Sequence, residues 1–209
     1  MNRIAKALIV CSGLGIAAAL PAQTLAVKVG GGFTSPVGST SPRLDTGWNF
    51  SLGAGAHINR WFDALGDFTY NRFGITRAAL NALNEPDGNV QVWSITAQPA
   101  VHLTPSSRVD PYITGGAGIY IRKVEFTAPT FATVTVFDPF FGFFFPAIVP
   151  ADVILGSNTV AKFGLNIGGG LAFRIGAGRT KVFVEARYDH MYTSPIATEY
   201  VPVTFGLSW

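Results

Sequence analysis

Residues 47–58 read Gly-Trp-Asn-Phe-Ser-Leu-Gly-Ala-Gly-Ala-His-Ile. Trp48, Phe50, Leu52, Ala54, Ala56 and Ile58 occupy alternate positions, with Asn49, Ser51, Gly53, Gly55 and His57 between them. Successive side chains of a strand point to opposite faces, whereas a helix groups residues three and four apart. The order therefore specifies a strand with one apolar face and one face of small and polar groups.

The same alternation recurs over residues 25–34, 61–73, 91–103, 112–126, 161–175, 181–193 and 200–209. In the sixth strand Phe163, Leu165, Ile167, Leu171, Phe173 and Ile175 oppose Asn166, Gly168, Gly170 and Arg174. Eight such segments are each long enough for a tilted strand to cross a bilayer, which takes roughly 9–11 residues. Glycines and charges make a poor soluble core. They make a good lumen when the apolar face meets lipid. Hydrocarbon offers no partner to a bare backbone group, so spanning strands have to close on themselves. The expected fold is all-β: a closed, eight-stranded, antiparallel, up-and-down transmembrane β-barrel over residues 23–209. A ten-stranded barrel is the variant. The opposite alternative is a water-soluble, lipocalin-like barrel with the apolar face turned inward.

The connections alternate in length. Residues 59–60, 104–110 and 176–180 are short; residues 35–46, 74–90 and 127–160 are long; only 194–199 breaks the trend. Short periplasmic turns and longer outer loops are the rule for such barrels, which places the mature N-terminus in the periplasm.

Composition agrees. Hydrophobic residues make up 48% and charged residues 13%, about half the ~25% of an average soluble domain. Residues 1–22 read as an export signal, with Arg3 and Lys6 followed by the apolar run Ala7–Leu20. Cleavage after Ala22 or after Ala26 both fit. Its removal takes fifteen basic residues to thirteen, against twelve acidic ones. The mature chain is therefore nearly neutral and has no electrostatic case for nucleic acid. It also loses Cys11, so neither disulfides nor thiolate metal sites are expected.

Four tryptophans fall at strand ends. Trp48 and Trp93 lie at the outer boundary and Trp61 and Trp209 at the periplasmic one, with Tyr70, Tyr192 and Tyr200 expected in the outer aromatic girdle. The chain ends Tyr200-Val201-Pro202-Val203-Thr204-Phe205-Gly206-Leu207-Ser208-Trp209. This ending resembles the small outer-membrane β-barrel family of OmpA-, OmpX- and OmpW-like proteins, as do Pro111-Tyr112-Ile113-Thr114-Gly115-Gly116 and Val184-Glu185-Ala186-Arg187-Tyr188. The resemblance covers the mature chain. It implies contact with outer-membrane lipid and lipopolysaccharide. It further implies that Val203, Phe205, Leu207 and Trp209 form the signal read by the barrel-assembly machinery, with Trp209 standing where the family usually ends in Phe. The family's functions are diverse, so fold does not settle function.

On the inward face Lys28, Arg122, Arg174 and Arg187 balance Asp63, Asp67, Glu185 and Asp189. Charges withdrawn from water need partners. A closed ion-pair network centred on Glu185, Arg187, Asp67 and Arg174 is therefore expected to fill the lumen, with a gated ion path as the alternative. Residues 127–160 form the most unusual connection. They carry Phe131, Phe137, Phe140, Phe141, Phe143, Phe144 and Phe145. Either strands five and six extend outward as a hairpin turning near Asp138-Pro139 and Gly142, or the loop contacts an apolar partner such as lipid chains, another surface protein or a hydrophobic ligand.

Chemistry is sparse. HExxH, GxSxG, P-loop and dinucleotide patterns are absent, and His57, His102 and His190 lie on separate strands. No cofactor, metal or enzymatic role is expected. The one enzymatic alternative, lipid A modification, would use His190, Tyr192 and Ser194 with Asp189 or Glu199.

Overall fold

The computed structural model describes residues 24–176 and 178–209; the leader expected over 1–22 lies outside them. Alternation is realised as eight antiparallel strands: β1 (Thr24–Pro36), β2 (Gly47–Asn59), β3 (Phe62–Gly74), β4 (Asp87–His102), β5 (Val109–Asp138), β6 (Phe143–Arg174), β7 (Lys181–Met191) and β8 (Thr198–Ser208). Each strand pairs with its sequence neighbours. β8 returns to β1 from Lys28↔Ser208 to Pro36↔Tyr200, and the sheet closes. The seam is finished by reciprocal backbone bonds between Val27 and Trp209, at 2.7 and 2.9 Å.

Burial decides which face is inside. Leu25, Ile95, Ile113 and Ile167 are 54–70% exposed, while Lys28, Asp67, Glu185 and Arg187 are at most 6% exposed. The glycine-rich, charged face lines the lumen and the apolar face looks out. This overturns the soluble, apolar-inward alternative, because a closed wall with such an exterior belongs in hydrocarbon.

The ten-stranded variant is not formed. Residues 127–160 prolong β5 and β6 instead, so that these two strands run far past the rim. β4 leaves β5 at Asp87↔Thr127, and a β-bulge on β6 falls at the same level, where Phe126 pairs Gly156 but Thr127 pairs Ile154. An extra residue on one strand bends it and increases its twist. Leu155 is that residue, placed where the hairpin leaves the barrel.

The long connection after β3 holds a short helix, α1 (Arg77–Leu83). Thr76 caps it, its hydroxyl accepting from Ala79 N at 3.3 Å, and Asn84 ends it in the left-handed region at φ 56°. The Ala- and Leu-rich run behind a Thr cap is the local signal for this helix. Its Leu80 is buried over the barrel mouth.

Candidate functional site

The lumen has three levels, of which the middle one and the one at the long-loop end are filled and the one at the short-turn end is open. The middle layer is ionic. Lys28 Nζ lies 3.0 Å from Glu185 Oε1 and 3.3 Å from Asp67 Oδ2. Arg187 Nη1 lies 3.1 Å from Asp67 Oδ1 and Nε 3.5 Å from Glu185 Oε1. Two cations and two carboxylates thus close a ring across β1, β3 and β7. Hydroxyls join the ring: Tyr112 donates to Glu185 at 2.8 Å, Thr69 to Asp67 at 2.7 Å, and Arg187 to Thr69 at 2.8 Å. Gly168 and Gly170 leave room for these groups. A Cβ on Gly170 would stand 2.6 Å from the Tyr112 hydroxyl.

A neutral chain continues the layer. Gln98 donates to Asn166 and Thr114, Asn166 donates to the Tyr120 hydroxyl, and Tyr120 donates to Asp189 at 2.7 Å. Asp189 therefore has a phenol as its partner, and no cation lies in bonding range of it among the described residues.

Toward the short-turn end the lumen opens into a cavity of about 800 Å³. Asp63 sits there between His57 Nδ1 at 2.6 Å and His102 Nε2 at 3.0 Å. His102 Nδ1 meets Asp110 at 2.7 Å, and Lys181 meets the same carboxylate at 3.0 Å. Asp63 is thus separate from the central ring. No group of three or more His, Cys, Asp or Glu in metal-binding reach occurs among the described residues.

The third layer, at the long-loop end, is apolar. Phe73, Val90, Val92, Met191 and Tyr200 form a buried cluster, covered by Leu44, Ile75 and Leu80. Tyr200 is a correction to the expected girdle. It is fully buried and meets Phe73 edge to face at 5.4 Å. The reason is parity: Tyr200 shares a face of β8 with buried Thr204, opposite outward Phe205. The other residues expected in the girdle lie on the outer wall. Tyr70 packs between Trp48 and Trp93 at 5.1 and 5.7 Å, Tyr192 stacks on Phe163 at 6.3 Å, and Trp61 and Trp209 are each 46% exposed toward the short-turn end.

Four of the eight expected network residues lie apart from the ring: Asp63 and Asp189, already placed, and Arg174 and Arg122. Arg174 is exposed and donates to Pro105 O at 3.1 Å, at the end of β6 on the border of the open cavity. Lys28 occupies the place expected for it. Arg122 points toward the mouth and donates to Thr198 Oγ1 at 2.7 Å. Alternation sets Tyr120 on the inward face with Gly116 and Gly118, and Tyr112 has the same parity, but neither was expected in the network, because an aromatic hydroxyl carries no charge to balance.

Past the rim, β5 and β6 pair down to Asp138↔Phe143. Asp138 makes the turn: its carboxylate accepts from Phe140 N and Phe141 N, its carbonyl accepts from Gly142 N at 2.9 Å, and Gly142 takes φ 68°. Phe137 packs on Phe144 at 5.0 Å and Phe143 on Phe145 at 6.3 Å. The aromatics nevertheless stay open, with Phe131 76%, Phe140 93% and Phe141 77% exposed.

On the outer wall, Glu199 accepts from Tyr188 at 2.7 Å and lies 3.2 Å from His190 Nδ1; Ser39 Oγ reaches the same carboxylate at 3.5 Å. Ser194 is exposed and outside this group. A serine, histidine and carboxylate act together only when the histidine touches the hydroxyl, and among the described residues His190 bonds only Glu199.

The fold matches solved barrels. Neisserial surface protein A aligns at a TM-score of 0.54 and 15% identity, over 88% of this chain and 95% of that one. The attachment invasion locus protein Ail of Yersinia pestis gives 0.44 and 18%, over 88% and 96%. OprG of Pseudomonas aeruginosa gives 0.46 and 9%, over 89% and 95%. No curated protein matches the chain. The family model described as the outer membrane protein beta-barrel domain matches residues 7–208. The inverted wall, the filled lumen and this match together establish that the chain belongs to the outer membrane protein β-barrel domain family and resides in the outer membrane.

Proposed function

We propose that the protein is a non-enzymatic surface-contact barrel, in which a filled lumen anchors the β5–β6 hairpin and the hairpin meets an apolar partner. The hairpin carries the proposal. From Thr127 to Asp138 it projects about 35 Å, at ~3.3 Å per strand residue. Between residues 127 and 160 the only charges are Asp138 and Asp152. Large apolar groups stand exposed on both faces, Phe131, Phe144 and Ile148 on one and Val134, Phe143 and Val153 on the other. Open apolar patches of this extent mark contact sites.

The backbone edges are not the contact. Pro129, Pro146 and Pro150 interrupt them, and proline lacks the N–H that another strand would pair with. Side chains offered to lipid chains or to an apolar protein surface are the contact that remains. The layered lumen supports anchoring over passage, because ionic and apolar layers occupy it in series. The lumen ion pairs, the girdle and the closing residues Val203, Phe205, Leu207 and Trp209 then serve insertion and stability.

The second reading is capture of small hydrophobic compounds at the mouth, favoured by the apolar upper layer. The two separate in one experiment. Purified barrel in nanodiscs is passed over an alkyl-coated surface and over lipid A vesicles, with and without Phe140, Phe141, Phe143, Phe144 and Phe145 changed to Ser. Contact through the hairpin requires loss of association in the variant with the barrel still folded. Equal association of both proteins would sink the proposal.

A further inference from the structure

The barrel mouth holds a cavity of about 200 Å³ between α1, the connection after β1, strands β4 and β5, and the connection before β8. Its walls include Leu44, Ile75, Leu83, Val124, Phe126 and Ile196. Among the described residues the only ionisable groups lining it are Arg43 and Arg122, and no acidic side chain does so.

Arg122 is the odd member of the inward charges. Lys28 and Arg187 each touch two carboxylates. Arg122 makes no salt bridge among the described residues; Nη1 donates to Thr198 Oγ1 at 2.7 Å, and Nε is buried with no partner. Arg122 is half-buried, and a guanidinium with a buried, unpartnered Nε and no counter-charge beside apolar side chains is unfavourable. An anion in the cavity would supply that charge, and the planar fork of Arg suits a carboxylate. Arg43 at the rim, held by a 3.3 Å bond to Ser39 O, adds a second positive charge.

The geometry points to a binding site for a short alkyl carboxylate, its head on Arg122 and its chain against Leu44, Ile75, Val124 and Phe126. The volume lies below the ~300 Å³ at which pockets for drug-sized ligands begin, so the chain is short. The site stands apart from the exposed phenylalanines and does not rest on the hairpin's contact role.

Octanoate is the probe, titrated calorimetrically into the mature protein in nanodiscs, with octanol and octyltrimethylammonium as neutral and cationic counterparts. Folding of each variant is checked by its resistance to SDS before heating. Saturable octanoate binding is expected, with neither counterpart saturating. Arg122→Gln should weaken it by about tenfold or more, the scale of one charge-assisted hydrogen bond. Ala79→Phe, which fills the cavity, should abolish it, and the five Phe→Ser changes should leave it unaltered. Octanol binding as tightly as octanoate, or full affinity in a folded Arg122→Gln or Ala79→Phe protein, would overturn the assignment. If Arg122→Gln does not fold, the octanol comparison and Ala79→Phe decide alone.

Discussion

Arg187 Nη1 and Asp67 Oδ1 stand 3.1 Å apart across the lumen, although the residues are separated by 120 positions in the chain. Their side chains are at most 3% exposed, so their attraction is little screened and neither can turn to water. Arg187→Met would leave Lys28 as the one cation facing Asp67 and Glu185 within the ring. The expected loss is about 3–5 kcal/mol. Adding Asp67→Asn should recover much of it, since the ring then again holds equal charges. Reversible urea unfolding in lipid would show this; additive losses would mean the two residues do not act as a pair.

The two buried tyrosines should respond oppositely to loss of their hydroxyls. The Tyr200 hydroxyl is buried without a partner, so Tyr200→Phe removes an unsatisfied group and should be neutral or stabilising. Tyr120→Phe takes the donor from Asp189, whose other oxygen already lacks one. That change should cost about 1–3 kcal/mol or more. Equal effects in the same unfolding assay would show that the hydroxyls are not distinguished as described.

Lipid depth gives a third expectation. Ile95 is 66% exposed midway along β4. Ile95→Arg should destabilise the barrel by about 2–4 kcal/mol, the cost of Arg on a lipid face at the midplane. Phe141→Arg, at the hairpin turn, should change stability by less than about 0.5 kcal/mol. A harmless Ile95→Arg would contradict the position of the membrane.

A filled lumen should not conduct. Planar-bilayer recordings of the pure protein are expected to show no sustained open level. Steady, reproducible steps from the folded barrel would mean that the ionic and apolar layers part readily, and anchoring would no longer explain them.

The wall of the barrel was legible residue by residue, because strand parity is a local property. Trp48, Phe50 and Leu52 look outward and Asn49, Ser51 and Gly53 inward by the same rule that makes any strand two-sided. Parity also placed Tyr200 inside, and assigning it to the girdle set a residue-type preference against that local rule. The turn at Asp138 and Gly142 was legible for the same local reason. Helix α1 carried a readable Thr cap and an Ala-rich run, hidden inside a segment first marked only by its length.

What the order of residues determined by itself was the number of strands, their two faces and the supply of charges for an enclosed space. Which charge meets which was decided only by closure. Register and curvature bring Lys28 to Glu185 across 157 positions and carry Arg174 away to a turn carbonyl. Pairing across a lumen depends on height and angle around the barrel, and neither is a property of any single strand. The mouth cavity around Arg122 has the same origin, since its walls come from loops and strands that meet only once the ring is shut.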